Sequence, residues 1–383
     1  MLVLDTGLAQ DIVTRTMRII PFNVNVMDAN GTILASGTPS RIGELHAGAL
    51  LALAKKLTVE IDAASAKSMH GALPGINLPL VVKGQVWGAV GLSGDPDEVR
   101  QFGSLVQLTA EMILEQATLT HELQRDSRYR EAFVLNLIRY EPGAQAELEA
   151  WGQRLGIDFQ RTQLAFILQL DSPNAADLAP DAIQRLQMRI HARAPSSLTA
   201  AIGPREMVIL DSHDPALGAK ATELKAQRQL QALAGLVREE GEPAPLLAMG
   251  IALPGIEGAA ISYQSARTAA RVGQLRNPQQ RQFSYYDLAL PVLLAGLGSG
   301  WQAQQLRQPG AKLQAQDKHG VLARTLDTWF ANDGNSAATA RALHIHRNTL
   351  DYRLRRIGEV TGLDVARTED RFLLYLSALL ASL

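Results

Sequence analysis

The spacing of apolar residues changes character along the chain. Near the start, Leu8, Ile12, Met17, Ile19 and Ile20 fall at helical intervals in a run that Pro21 ends. Phe22–Met27 alternates apolar with polar, Asp28-Ala29-Asn30-Gly31 has turn composition, and Thr32–Ala35 returns, so a β-hairpin is predicted. Helical spacing resumes at Leu45, Ala49, Leu50 and Leu53. A second hairpin follows, with strands at Leu78–Val82 and Val86–Leu92 around the turn Lys83-Gly84-Gln85. Phe102, Leu105, Leu108, Met112, Leu119 and Leu123 then lie along one long helix, and a charged stretch runs from Gln124 to Glu131. Leu105, Met112 and Leu119 repeat every seven residues, which suits either a paired signalling helix or packing on the preceding domain.

Beyond Pro142 the pattern becomes mixed. Helices are predicted at Ala144–Leu155, Ala182–Ala192, Leu217–Val237 and Gly258–Val272. Strands are predicted at Leu164–Leu170, Leu198–Ile202, Met207–Leu210 and Leu246–Ala252. That order suits a ferredoxin-like α/β domain. The two hairpins around a helical segment near the start, closed by a long helix, outline a PAS-like or GAF-like sensor, a fold that does not by itself name a ligand. The expected class is therefore α+β and multidomain: a PAS-like sensor over 1–135, a ferredoxin-like middle domain over 136–290, and an all-α domain over 291–383.

In that last part Val321, Leu322, Leu326 and Trp329 mark one amphipathic helix, broken at Asn332-Asp333-Gly334-Asn335. Asn335 or Ser336 can cap a short alanine-rich helix, Ala337–Ala342. A turn at Leu343-His344-Ile345 leads to a longer helix from about His346 to Val360, with Gly362 as its stop. Leu350, Leu354 and Ile357 form an apolar stripe on it. Asn335–Ile357 carries five arginines against one acid, Asp351. A helix in the major groove needs this layout: one face packs, N-terminal donors reach base edges, and flanking arginines hold phosphates. The DNA-facing candidates are His346, Arg347, Asn348, Thr349, Tyr352, Arg353 and Arg356. A closing helix from Thr368 should cover the domain's other side through Phe372, Leu373, Leu376, Leu379 and Leu380.

Composition adds exclusions. With 383 residues, 46% of them hydrophobic and 20% charged, the chain has the balance of a globular protein of more than one domain. The absence of cysteine removes disulfides, thiolate zinc sites and a cysteine nucleophile. His344 and His346, two apart across a turn, suit capping or phosphate contact better than a metal. Neither a secretory signal nor a membrane span is expected: the start is not basic, and the most apolar later stretch, Ala289–Leu297, is about half the ~20 residues a span needs. A soluble cytoplasmic protein without cofactor or metal is expected. Basic residues number 37 and acidic ones 38, so DNA binding must come from a local patch rather than a global field. No phosphate loop ending in Lys-Ser or Lys-Thr and no His-Glu-x-x-His occurs.

Particular motifs carry a resemblance. Ala340–Ile357, above all His346-Arg347-Asn348-Thr349-Leu350, resembles the helix-turn-helix of purine-catabolism-regulator type. Residues 6–120 resemble the sugar-diacid recognition domain of the carbohydrate diacid regulator family. They do so through Ala9-Gln10-Asp11-Ile12-Val13, Arg18-Ile19-Ile20, Asn25-Val26-Met27-Asp28, Arg41-Ile42-Gly43-Glu44-Leu45-His46, Gly75-Ile76-Asn77-Leu78-Pro79-Leu80 and Gly91-Leu92. The middle segment resembles a degenerate relative of nucleotide-cyclase domains. Its hairpin reads Gly203-Pro204-Arg205-Glu206-Met207 where an active cyclase carries Gly-Gly-acid-Glu-Phe, so proline and arginine stand where glycine and an acid are needed, and no cyclase chemistry is expected.

The resemblance implies an activator of sugar diacid or glycerate catabolism, binding operator DNA as a homodimer or higher homo-oligomer and responding to glucarate, galactarate or glycerate. A sensor of the same architecture for an unrelated small molecule is the main alternative, and a nucleotide cyclase-type enzyme the remote one. A hydroxy dicarboxylate needs cationic or N–H donors for its carboxylates and neutral polar groups for its hydroxyls. Arg41 is the candidate charge partner. Ile42 and Gly43 are expected to offer free N–H groups at the start of the following helix, with His46 one turn along it. Gly75, Ile76 and Asn77 lie in a stretch expected to be irregular before Pro79, and His70 is a weaker candidate.

Overall fold

A computed structural model describes residues 3–69, 73–170, 179–241, 245–298 and 300–381. The chain divides into two compact units, residues 1–128 and 129–383.

In the first unit, α1 (Thr6–Thr16) is capped by Asp5, whose carboxylate accepts from the Leu8 N–H. The helix stops before the predicted end: Ile19 is exposed, while Ile20 turns back into the core. β1 (Asn23–Met27) and β2 (Ile33–Ser36) form the first hairpin. Asp28 shapes its turn by accepting from the Asn30 and Thr32 N–H groups, and Gly31 takes the left-handed conformation that only glycine adopts freely. Then come α2 (Ala47–Lys55), β3 (Val59–Ile61), α3 (Ala63–Ala66), β4 (Gly75–Val82), β5 (Gln85–Ser93) and α4 (Pro96–Ile138). β3 and α3 escape a reading by pattern because neither is long enough to show a period. The strands lie in the order β2-β1-β5-β4-β3, every pairing antiparallel.

Alternation sorts the side chains of this sheet. Val24, Val26, Ile76, Leu78, Leu80, Val90 and Leu92 face a core shared with Ile12 and Val13 of α1 and Val106, Ala110 and Leu114 of α4. Met27, Ile33 and Ala89 meet Ala49 and Leu53 of α2. The stretch Gly75–Pro79 is therefore regular strand, contrary to the irregular chain expected there. Pro79 is tolerated because β3 ends its pairing at Asn77, so no strand beyond requires its missing N–H. α4 covers that open edge instead: Gln107 donates to the Pro79 carbonyl, and Glu111 accepts from the Val81 N–H. The charged stretch Gln124–Glu131 does not interrupt α4, since it holds neither glycine nor proline. Leu105, Leu108, Met112, Leu119 and Leu123 are exposed along it, so they are not packed on the preceding sheet.

The second unit takes up the end of α4. It continues with α5 (Gln145–Arg154), β6 (Thr162–Gln169), α6 (Ala179–Arg193), β7 (Leu198–Gly203), β8 (Glu206–His213), α7 (Ala219–Glu239), β9 (Leu246–Met249), β10 (Leu253–Pro254), α8 (Gly255–Arg276) and β11 (Gln282–Ser284). The order β9-β6-β8-β7 is that of a ferredoxin-like βαββαβ unit, extended by parallel β11 beside β9. Leu164, Phe166, Leu168, Met207 and Ile209 face α6 and α7. Ala165, Ile167, Val208 and Leu210 face α8 and the α4 residues Phe133, Val134 and Leu137. Both faces being covered explains why β6 reads as a continuous apolar run.

The helices α9 (Ala289–Ala295), α10 (Trp301–Gln316), α11 (Val321–Ala331), α12 (Ser336–Ala342), α13 (Arg347–Thr361) and α14 (Thr368–Ala381) complete this unit. Leu313, Leu326, Trp329, Ala340, Leu350, Leu354, Ile357 and Leu374 form their core. Phe372 and Leu373, expected to pack, are exposed, because α14 turns Leu374 inward instead. The boundaries expected at 135 and 290 fall inside α4 and α9 respectively. No described helix is long and apolar enough to cross a membrane.

Candidate effector site and nucleic-acid interface

The loop between β2 and α2 is zipped onto the outer edge of β2. The Gly43 N–H donates to the Ile33 carbonyl, the Ile33 N–H to the Glu44 carbonyl, and the His46 N–H to the Gly31 carbonyl. This stitching carries two polar side chains inward. Arg41, at the end of a 3-10 turn (Pro39–Arg41), is only 8% exposed, and its Nε pairs with the half-exposed Glu44 carboxylate at 3.3 Å. His46 is 3% exposed and caps α2, its Nδ1 accepting from the Ala49 N–H at 3.2 Å. Burial first, and the neighbouring Arg41 guanidinium second, push its pKa down to about 4.

Asn77 on β4 lies under α2. A Cβ at Gly48 of α2 would stand 2.6 Å from Asn77 Nδ2 and 3.1 Å from His46 Cε1, so the helix approaches this closely because residue 48 has no side chain. The other edge of the amide faces β5, where a Cβ at Gly91 would meet Asn77 Oδ1 at 2.9 Å. Register sets Ser36, Asn25, Gly91 and Asn77 side by side across β2, β1, β5 and β4, on the face that α2 covers. Asn25 is fully matched there: Asn23 and Ser36 donate to its Oδ1, and its Nδ2 donates to Ser93 Oγ. Asn77 Oδ1, on a side chain only 2% exposed, has no donor among the described residues. A buried acceptor without a partner costs about 1–3 kcal/mol.

Arg41, His46 and Asn77 thus belong to one buried polar neighbourhood, whereas the other expected site residues do not join it as foreseen. The Ile42 N–H bonds to the Pro39 carbonyl and its side chain is exposed, and the Gly43 N–H is taken by Ile33, so neither offers a free donor. His46 precedes α2 as its cap rather than lying one turn inside a helix. The Ile76 side chain points to the opposite face of the sheet, into the α4 core, and Gly75 is held between β5 and β3 as regular strand. His70 lies outside the described residues. Asn25, Ser36 and Ser93 were missed as members of this polar row. A clue was present, since asparagines at 23 and 25 are poor strand formers in a strand otherwise valine-rich.

The candidate DNA-binding surface is built more simply. Asn335 caps α12, its Oδ1 accepting from the Ala338 N–H, and His344 takes a left-handed turn conformation before α13. His346 caps α13, its Nδ1 accepting from the Asn348 N–H at 3.2 Å, and Gly362 ends that helix. The stripe Leu350, Leu354 and Ile357 is buried. His346, Arg347, Asn348, Thr349, Tyr352 and Arg356 are all exposed on the outer face, with Arg355 beside them. Arg356 reaches Glu359 at 2.8 Å, and Arg347 approaches Asp351 only to 3.9 Å. Arg353 departs from the group: it is half-buried and donates to Thr325 Oγ1 of α11, so it braces the helix pair from the flank.

Comparison with known proteins matches these parts separately and together. A family model for sugar diacid recognition matches residues 4–137, a GGDEF-like domain model residues 141–272, and the PucR C-terminal helix-turn-helix model residues 322–380. The carbohydrate diacid regulator of Escherichia coli (strain K12) is 44% identical over 98% of this chain and 97% of its own length. An uncharacterized protein of Haemophilus influenzae is 34% identical over 98% of this chain and 99% of its own. The transcriptional activator PmfR of Paenarthrobacter nicotinovorans is 54% identical over 50 residues, 13% of this chain and 11% of its own. With a diacid-recognition region, a GGDEF-like region and a helix-turn-helix in one chain, and near-complete coverage at this identity, the protein belongs to the carbohydrate diacid regulator family.

Proposed function

We propose that this protein is a cytoplasmic, DNA-binding activator of sugar diacid or glycerate catabolism, switched by an aldarate or glycerate bound in the first unit. The observation that carries this reading is the buried set Arg41, His46 and Asn77, a cation and neutral polar groups in the region matched by diacid recognition. The strand order β2-β1-β5-β4-β3 supports a PAS-like sensor. The exposed Leu105, Leu108, Met112 and Leu119 of α4 support a homodimer in which two copies pair along this helix, giving two recognition helices to a two-fold operator. Effector binding then shifts the population of paired arrangements. The middle domain acts as a connector and not as a cyclase, because Pro204 and Arg205 occupy its hairpin.

A thermal-shift series on the full chain with glucarate, galactarate, glycerate, purines and GTP tests the effector. Millimolar ligand at a micromolar site adds about 4 kcal/mol of stability. A shift with one of the hydroxy acids that Arg41→Ala abolishes is the expected result. A shift with purine or GTP alone would replace the diacid reading by a sensor of other chemistry.

A further inference from the structure

The second unit holds a cavity whose positive charge the fold leaves unmatched. β7 is the outer strand of its sheet, and beside it the end of α4 and one face of α8 border a cavity of about 790 Å³. Leu135, Ile138 and Ile202 give it an apolar wall. Arg139, just past the end of α4, and Arg267 and Arg271 of α8 line the rest. Both helices pack on the sheet face opposite α6 and α7.

None of these three arginines pairs with a carboxylate among the described residues. Several exposed arginines elsewhere do meet acids: Arg100 holds Glu60 and Asp97, Arg193 holds Glu239, and Arg356 holds Glu359. Arg267 and Arg271 are moreover four residues apart on one helix, where like charges repel and weaken the helix. Two acids stand near without relieving this. The Glu131 carboxylate accepts from the Ala201 N–H at 2.8 Å, and Glu206 acts on Tyr263 but pairs with none of the three. Arg267 is already positioned, its guanidinium lying 5.9 Å from the centroid of the Tyr263 ring. Burial raises the pKa of the Tyr263 hydroxyl, and Arg267 and, more weakly, Arg139 oppose that rise, so cations from two distant parts of the chain act on one place.

We propose that this cavity binds a small molecule carrying a diphosphate group, its phosphoryl oxygens on Arg139, Arg267 and Arg271 and its organic part against Leu135, Ile138 and Ile202. Three guanidinium groups offer more donors and charge than a single carboxylate, with two oxygens, can use, whereas two linked phosphates can engage all three. A concave and partly apolar site suits a small organic ligand, while backbone contacts to duplex DNA require neither feature. The site lies in the second unit and does not depend on the effector reading given above.

Calorimetric titration of the full-length protein at fixed ionic strength, with ADP, GDP, pyrophosphate and inorganic phosphate as probes, tests this. The expected result is that at least one diphosphate binds about 10-fold or more tightly than inorganic phosphate. Arg267→Gln and Arg271→Gln should each weaken that binding about 10-fold or more, the scale of a hydrogen bond to a charged group. Both residues are exposed, so the variants keep the fold. Arg228→Gln, the same charge change at an exposed position of α7 across the sheet, and Arg41→Ala in the first unit should leave it within about twofold. Binding of no diphosphate, binding matched by inorganic phosphate, binding that neither α8 variant weakens, or an equal loss in Arg228→Gln or Arg41→Ala overturns the proposal. If no diphosphate binds and the α8 variants instead weaken operator binding, the surface is a DNA contact and the proposal falls.

Discussion

Asn77 in the first unit and Asn348 on the recognition helix are the same side chain under opposite conditions. Asn77 is 2% exposed between a sheet and a helix, where each polar atom must find a partner within the fold or on a ligand. Asn348 stands on the solvent face of α13, where water satisfies it and DNA can replace the water. The contrast extends to arginine: Arg41 is buried beside His46, while Arg347 is exposed with Asp351 only at 3.9 Å. Chemistry held inside is coupled to stability and protonation; chemistry held outside is coupled to the ligand alone. Substitutions at the two places should therefore have separable effects.

That separation can be broken experimentally, and the largest effect should come from the one part of α13 that is inside. Leu350, wholly buried in the helical core, should cost about 2–5 kcal/mol of stability when changed to alanine, as core truncations do. Operator binding should vanish with the helix-turn-helix while effector binding by the first unit persists; loss of both in calorimetry would show that the two regions are not independent.

The next effect sharpens the buried side. The folded His46 imidazole takes a proton only near pH 4, against 6.5 for an ordinary histidine. Its contribution is thus present above about pH 6.5 and is lost as pH falls toward 4, amounting at most to about 3 kcal/mol. Denaturation of wild type and His46→Asn across this window should show a steeper loss in wild type, since asparagine keeps the cap without titrating. Equal slopes would place the pH dependence elsewhere.

The smallest effect on folding belongs to the exposed face. Asn348→Ala and Tyr352→Ala should each weaken operator binding by about 1–3 kcal/mol, the usual cost of a lost base contact. Their stability should move by less than about 0.5 kcal/mol, as for exposed positions generally. Unchanged operator affinity in both folded variants would move the reading surface off α13.

Much of this could be read from the sequence, and the residues show where reading stops. Period located α11 and α13, since Leu350, Leu354 and Ile357 repeat along one helix and residues off that stripe must face outward, while the Asn335 cap and the turn after Ala342 located α12. The capping of α13 by His346 and its termination at Gly362 are likewise local events. The hairpins and the βαββαβ order followed from alternation and turn composition. Motif resemblance brought Arg41, His46 and Asn77 forward, but no local pattern could say what they do together.

The sequence by itself determined the long periodic elements, the outward face of α13 and the family, since each depends on neighbours within a few residues or on whole-chain similarity. Tertiary structure decided the rest. A local turn bond from Ile42 to Pro39 and an edge bond from Gly43 to Ile33 used up the loop's supposed donors, alternation turned Ile76 away from Asn77, and cross-strand register set Asn25 and Asn77 on either side of Gly91. Packing also ties Arg353, one of the expected DNA-facing residues, to Thr325, a contact that no local pattern records. The reason is physical: whether a polar atom is matched depends on residues far away in the chain, and a linear pattern does not record who stands across the sheet.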